Sequence, residues 1–163
     1  MARKFFTVIV SFLMVLSGCF APNGVSGVPG NWGDLQIDIS SNRNTCIPNP
    51  GEMLKFRATV TNRGGQSYTI HLQEKPVLDI EVDYSVSNEE RKTIRWSDGK
   101  PLTPEMMTLE LAPGESKSIA MDWVSVRPYG DSANVQAILR TGENSGAAAN
   151  LGLFIGSCPG IGP

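Results

Sequence analysis

From about residue 34 to residue 158, apolar and polar side chains alternate with period two, and helical spacing is rare. In Leu35-Gln36-Ile37-Asp38-Ile39 the apolar side chains fall on one face and the polar ones on the other, which is the pattern of a half-buried strand. The same pattern runs through Leu54, Phe56, Ala58 and Val60; Tyr68, Ile70 and Leu72; Leu78, Ile80, Val82 and Tyr84; and Ile94 and Trp96. It continues in Leu109 and Leu111; Ile119, Met121 and Trp123; Val135, Ala137 and Leu139; and Leu151, Leu153 and Ile155. Between these runs lie turn formers, among them Pro50-Gly51, Asn62-Arg63-Gly64-Gly65, Ser97-Asp98-Gly99, Pro113-Gly114 and Pro128-Tyr129-Gly130-Asp131. Short strands punctuated in this way predict an all-β fold, an antiparallel Ig-like β-sandwich of about 8–9 short strands.

The first residues break the pattern. Arg3 and Lys4 precede an apolar run from Phe5 to Leu16 interrupted only by Thr7 and Ser11, and Ser17 and Gly18 follow. This is the order of an export signal. As a helix the run would cover only ~18 Å of a hydrocarbon core ~30 Å thick, too short for a comfortable span. Leu16-Ser17-Gly18-Cys19 resembles the bacterial lipobox, in which the cysteine sulfur is alkylated with diacylglycerol and the chain is cut in front of it. The bland alternative is an ordinary signal peptide with a chance cysteine. The expected organisation is therefore a lipoprotein signal peptide at 1–18, a lipidated Cys19 with a flexible tether at 19–33, and a sandwich at 34–163. The tether reading rests on the Gly, Pro, Asn and Ser content of residues 20–33. The expected location is the cell envelope, on the outer side of the cytoplasmic membrane, or on an outer membrane where the cell has one.

Lipidation would consume one of three cysteines and leave Cys46 and Cys158, an even pair in an oxidising compartment. A disulfide between them is expected, with free thiols as the alternative. A net charge of −2 with scattered signs gives no basic patch, so nucleic acid is not an expected partner.

Candidate chemistry is sparse. His71, the single histidine, lies between Ile70 and Leu72 and is expected on the solvated face of its strand, with no serine tied to it by spacing. Asp79, Glu81 and Asp83 share the outer face of one strand. An acidic solvated face is the plain reading, and a Ca²⁺ or sugar site is the sharper one. No enzyme, metal centre or cofactor is expected.

The segment from Ile94 to Trp123 resembles the intracellular proteinase inhibitor family of Bacillus type, BsuPI. The matching residues are Arg95-Trp96-Ser97-Asp98-Gly99-Lys100, Thr103, Leu111-Ala112-Pro113-Gly114-Glu115-Ser116 and Trp123, with Phe56 to Asn62 similar to an early strand of the family. The resemblance covers roughly residues 52–140. It implies binding to a serine proteinase through a loop held by a rigid sandwich, with Arg95, Trp96, Ser97, Asp98, Gly99 and Lys100 as binding residues. Pro101 follows Lys100 and lacks a backbone N–H, so a substrate-like scissile bond at Lys100 is not expected. Where the family usually carries an aromatic and a glutamine, this chain has Leu102-Thr103-Pro104-Glu105.

The combined expectation is a membrane-anchored inhibitor of a secreted or envelope serine proteinase. The alternative is a structural or adhesive Ig-like module that binds another envelope component.

Overall fold

A computed structural model describes residues 24–88, 90–156 and 158. The expected signal peptide, Cys19 and residues 20–23 lie outside the described residues. Among those described, no helix is long and apolar enough to cross a membrane.

The chain runs through β1 (Val25–Ser26), β2 (Gly30–Trp32), β3 (Leu35–Ser41), β4 (Cys46–Ile47), β5 (Met53–Asn62), β6 (Tyr68–His71) and β7 (Leu78–Ser85). It continues through β8 (Arg91–Arg95), α1 (Pro104–Met107), β9 (Thr108–Leu111), β10 (Ser116–Val124), β11 (Ser132–Arg140) and β12 (Gly146–Ile155). One sheet has the order β1-β3-β5-β10, with β2 also on β3; the second has the order β4-β12-β11-β7-β8; β6 and β9 form a separate ribbon. The pairings are antiparallel except that of β12 with β4. The fold is thus the all-β antiparallel sandwich that the alternation predicts.

Burial follows the pleat. Leu35, Ile37 and Ile39 of β3 and Leu54, Phe56, Ala58 and Val60 of β5 are buried. So are Ile80 and Val82 of β7, Val135, Ala137 and Leu139 of β11, and Leu151, Leu153 and Ile155 of β12. Full burial of one side chain the size of Phe56 contributes about 1.5–3 kcal/mol, so these rows fix which face of each strand points inward. Trp123 joins the sheets: its ring lies 6.2 Å from Phe56 of β5 and 5.8 Å from Tyr84 of β7.

Residues 24–33, expected as tether, need correction. β1 and β2 both pair with β3, and Val28 between them exchanges hydrogen bonds with Asn150 of β12, at 2.8 and 2.9 Å. This segment stitches the two sheets along one edge. The glycines there serve close approach, not flexibility: a Cβ at Gly27 would stand 2.3 Å from the Asn150 carbonyl oxygen, and one at Gly30 would stand 2.2 Å from that of Ala148. The folded domain therefore starts by residue 25, ahead of the expected 34.

The strand directions give the sandwich two ends. Gly24, the 42–52 loop, residues 86–88 and 90 between β7 and β8, the 125–131 loop and Cys158 lie at one end, called proximal below. The turns at 63–67 and 112–115 and helix α1 lie toward the other, distal end. At the proximal end Cys46 and Cys158 are joined, with Cα atoms 5.6 Å apart across a sequence separation of 112.

Candidate functional site: the Trp96 to Met107 segment

β8 is an edge strand, and beyond it the chain leaves the sheet through a turn whose residues are bound inward. The Trp96 N–H donates to the Ile80 carbonyl at 2.8 Å, which keeps the register of β7 for one more residue. The Arg95 N–H donates to the Asp98 carboxylate at 2.8 Å, and the Lys100 N–H donates to the Ser97 carbonyl at 3.1 Å. Gly99 has φ 71°, which glycine adopts at little cost, as the Asp98-Gly99 pair predicts. Lys100 folds back so that its Nζ stands 3.8 Å from the centroid of the Trp96 ring.

Asp79 holds this turn to the sheet. It was expected on a solvated face, and it does lie on the outer face of β7, but its side chain is fully buried. Its carboxylate accepts the Ser97 N–H at 3.2 Å and the Ser97 hydroxyl at 2.9 Å, and Arg140 Nη1 lies 3.5 Å away. Glu81 accepts from Arg95 at 2.9 Å and from Arg140 at 3.0 Å. Asp83 pairs with Arg91 at 3.2 Å and accepts from the Thr93 hydroxyl. The row of carboxylates is thus answered by a row of guanidinium groups. Glu81, by hydrogen bond and then by charge, raises the Arg95 guanidinium above its ordinary range. Among the described residues, no group of three or more His, Cys, Asp or Glu side chains is placed to hold a metal ion.

Past the turn, α1 forms a second clamp. Thr103 stands at its N-cap with an extended backbone, and Pro104 supplies a preset φ in the first turn. The Val77 N–H donates to the Met106 carbonyl at 2.8 Å, and the Leu72 N–H donates to that of Met107 at 2.9 Å. Lys117 of β10 donates to the Glu105 and Thr108 carbonyls, both at 3.1 Å. The Glu105 carboxyl is held below its usual range by its own backbone N–H, then by the Thr103 hydroxyl, with Lys117 adding a charge effect. Beneath α1 is a cavity of about 180 Å³, walled by Val77, Leu78, Trp96, Met106, Leu109 and Ile119.

Between the clamps, Pro101 and Leu102 make no hydrogen bond with the described residues and face outward; Leu102 is 40% exposed. Of the residues expected to bind, Arg95, Ser97 and Asp98 are occupied with the fold, Trp96 is half-buried and Gly99 sets the turn. Lys100 is exposed but stacked. Pro104 and Glu105 are exposed as well, on α1, so Pro101 and Leu102 are the exposed pair between the two clamps that no hydrogen bond ties to the described residues.

Elsewhere, His71 is exposed on the polar face of β6, with Nδ1 2.9 Å from the Thr108 hydroxyl. The turn at Ala112 to Glu115 closes with Gly114 at φ 77° and the Glu115 N–H donating to the Ala112 carbonyl at 3.0 Å. Buried Asn62 ties the neighbouring turn to β9, donating to the Gln66 carbonyl at 2.7 Å and the Leu111 carbonyl at 3.1 Å. Two contributors have little signal in the sequence. Arg140 carried only the signal of a cation at the polar end of a strand, and Met106 sits in a single helical turn.

Residues 44–143 match the family described as intracellular proteinase inhibitor, BsuPI. The chain belongs to this family. The match contains the whole Arg95 to Met107 segment and Cys46, and it reaches somewhat beyond the 52–140 of the sequence resemblance. The strands β1, β2, β3 and β12 fall outside it, although β3 and β12 supply central rows of the core.

No curated protein matches the chain. Among solved structures, the chain is similar to the sporulation control protein Spo0M from Bacillus subtilis (16% identity, TM-score 0.48, 78% of this chain and 51% of that one). It is also similar to the C-terminal domain of wzt (8% identity, TM-score 0.41, 84% and 80%). A third is the β-glucosidase EmGH1 from Erythrobacter marinus (12% identity, TM-score 0.39, 80% and 15%). The chain spans about half the length of the Spo0M chain.

Proposed function

We propose that this BsuPI-family domain is a lipid-anchored inhibitor of a serine proteinase outside the cytoplasm, and that Leu102 is the side chain it offers to the enzyme. The family supplies the general function. The observation that supports the specific reading is the exposed Pro101-Leu102 pair, which lies between two clamped flanks and is followed by Thr103 at the start of α1. A proteinase recognises an extended, exposed backbone with a side chain free to enter its specificity pocket. Preorganisation lowers the entropy cost of ordering such a segment on binding.

Leu102 fits that role better than Lys100. Its following residue is Thr103, which keeps a backbone N–H, whereas Lys100 is followed by proline and is stacked on Trp96. A leucine suits an apolar specificity pocket, so the matching class is subtilisin-like or chymotrypsin-like. Attachment through Cys19 rests on the Leu16-Ser17-Gly18-Cys19 motif and the apolar run before it. It would hold the domain by its proximal end and leave the Leu102 segment toward the far side.

The test is titration of the full chain in detergent micelles against subtilisin-like, chymotrypsin-like and trypsin-like enzymes. Inhibition of one of the first two in preference to the third is expected. No inhibition of any at micromolar protein would remove the proposal.

A further inference from the structure

The proximal end has an unusual surface. Six of the eight large apolar side chains left exposed among the described residues lie there: Met53, Val86, Val124, Val126, Tyr129 and Phe154. Met53 and Tyr129 are each 55% exposed. Met53 and Val124 are register partners across β5 and β10, and Val126 follows two residues on, beyond buried Ser125. The Tyr129 N–H donates to the Ser85 carbonyl, which sets the backbone of Tyr129 beside the loop bearing Val86. Phe154 is the register partner of Cys46. These side chains form a rim around the end of the sandwich. A rim of this kind marks an interaction surface more often than scattered single residues do.

The charges of this end cancel. Arg43 pairs with Glu52, Lys55 with Asp122, Arg91 with Asp83, Lys92 with Glu90, and Arg127 with Asp131. A surface of exposed apolar groups and internally paired charges suits a membrane interface and is poorly suited to electrostatic capture of a charged macromolecule.

Where the chain enters decides the occupant. Gly24 and Val25 lie at this end, beside Arg43, Cys46 and Ile47. Cys19 is five residues before Gly24, a stretch that reaches at most about 18 Å even when fully extended. We infer that the proximal rim rests on the bilayer surface, with Met53, Val124, Val126 and Tyr129 entering the interfacial region. This inference builds on the lipid anchor proposed above. The rim adds a second, non-covalent contact, which orients the domain so that the Leu102 segment faces away from the membrane.

The test uses full-length protein carrying one added tryptophan, either Val126→Trp at the rim or Leu102→Trp at the other end. Intact mass reports the lipid on Cys19, and each protein is reconstituted into phosphatidylcholine vesicles with and without brominated acyl chains. After subtraction of the parent emission, the signal at position 126 should fall about twofold or more with brominated lipid, while that at position 102 should hardly change. Met53→Trp gives a second rim position should Val126→Trp fold poorly.

Weak quenching at both ends in protein whose mass shows the lipid would overturn the bilayer contact and leave the anchor standing. A mass without lipid, with protein recovered from the aqueous phase, would remove the anchor and the contact together. Shielding at position 126 that follows protein concentration but not brominated lipid would assign the rim to a second copy and overturn the inference.

Discussion

The two ends of this sandwich are built from the same strands and treat their polar groups in opposite ways. At the proximal end the ion pairs are solvated surface contacts, each made between nearby side chains, and apolar groups are left facing out. Toward the distal end the carboxylate of Asp79 is sunk out of solvent and spends its oxygens on Ser97 and Arg140, so that a loop is fixed in place. Exposed pairs are worth little, whereas a buried carboxylate is costly once it loses its partners. The distal loop is thus held by polar chemistry with definite geometry, while the proximal end is held by covalent closure and leaves its surface available.

The largest effect should come from the proximal closure. Replacing both Cys46 and Cys158 with serine should cost about 4–5 kcal/mol, because the bond closes a loop of more than a hundred residues in the unfolded chain. Urea unfolding measures the loss. Alkylation of the unfolded parent without reductant should label neither residue, and labelling of both would remove the closure from the account.

At the distal end, Asp79→Ala should cost about 3–5 kcal/mol, since it leaves Arg140 partly unpaired and the Ser97 N–H without its acceptor. It should also speed amide exchange from Ser97 to Lys100 while the proximal loops keep their rates. Equal acceleration at both ends would show that Asp79 does not hold the distal loop in particular.

A smaller effect is expected at the seam that joins the two sheets along one edge. Gly30→Ala forces a methyl group into the Ala148 carbonyl and should cost about 1–3 kcal/mol by urea unfolding. Smallest of all, Lys100→Ala removes one exposed cation–π contact and should change stability by only about 0.5–1 kcal/mol.

Much of this architecture is legible in the sequence. All nine runs of alternation occur as strands, because a half-buried strand has to write its burial in period two. The elements that escape are those too short to show a period. β1, β2 and β4 have two or three residues each, and Gly27 after β1 and Gly30 at the start of β2 read as flexibility although they permit contact with β12. Alternation also assigned Asp79 to the correct face without revealing what covers it, because Arg140 lies 61 residues further on and meets it only through the pairing of β7 with β11. The candidate site was legible as a motif, Arg95 to Lys100, but not as a surface. That motif builds the turn, and the side chain it puts on display, Leu102, lies just past its end.

Leu102 is proposed above as the contact with a serine proteinase. The most direct measurement is the inhibition constant of Leu102→Arg beside that of the parent chain, against an enzyme with an apolar specificity pocket and against a trypsin-like enzyme. A specificity contact of this kind should shift the ratio of the two constants by more than about tenfold toward the trypsin-like enzyme, with thermal stability unchanged. Inhibition of both enzymes that is indifferent to the substitution would contradict the account and move the contact to another surface of the domain.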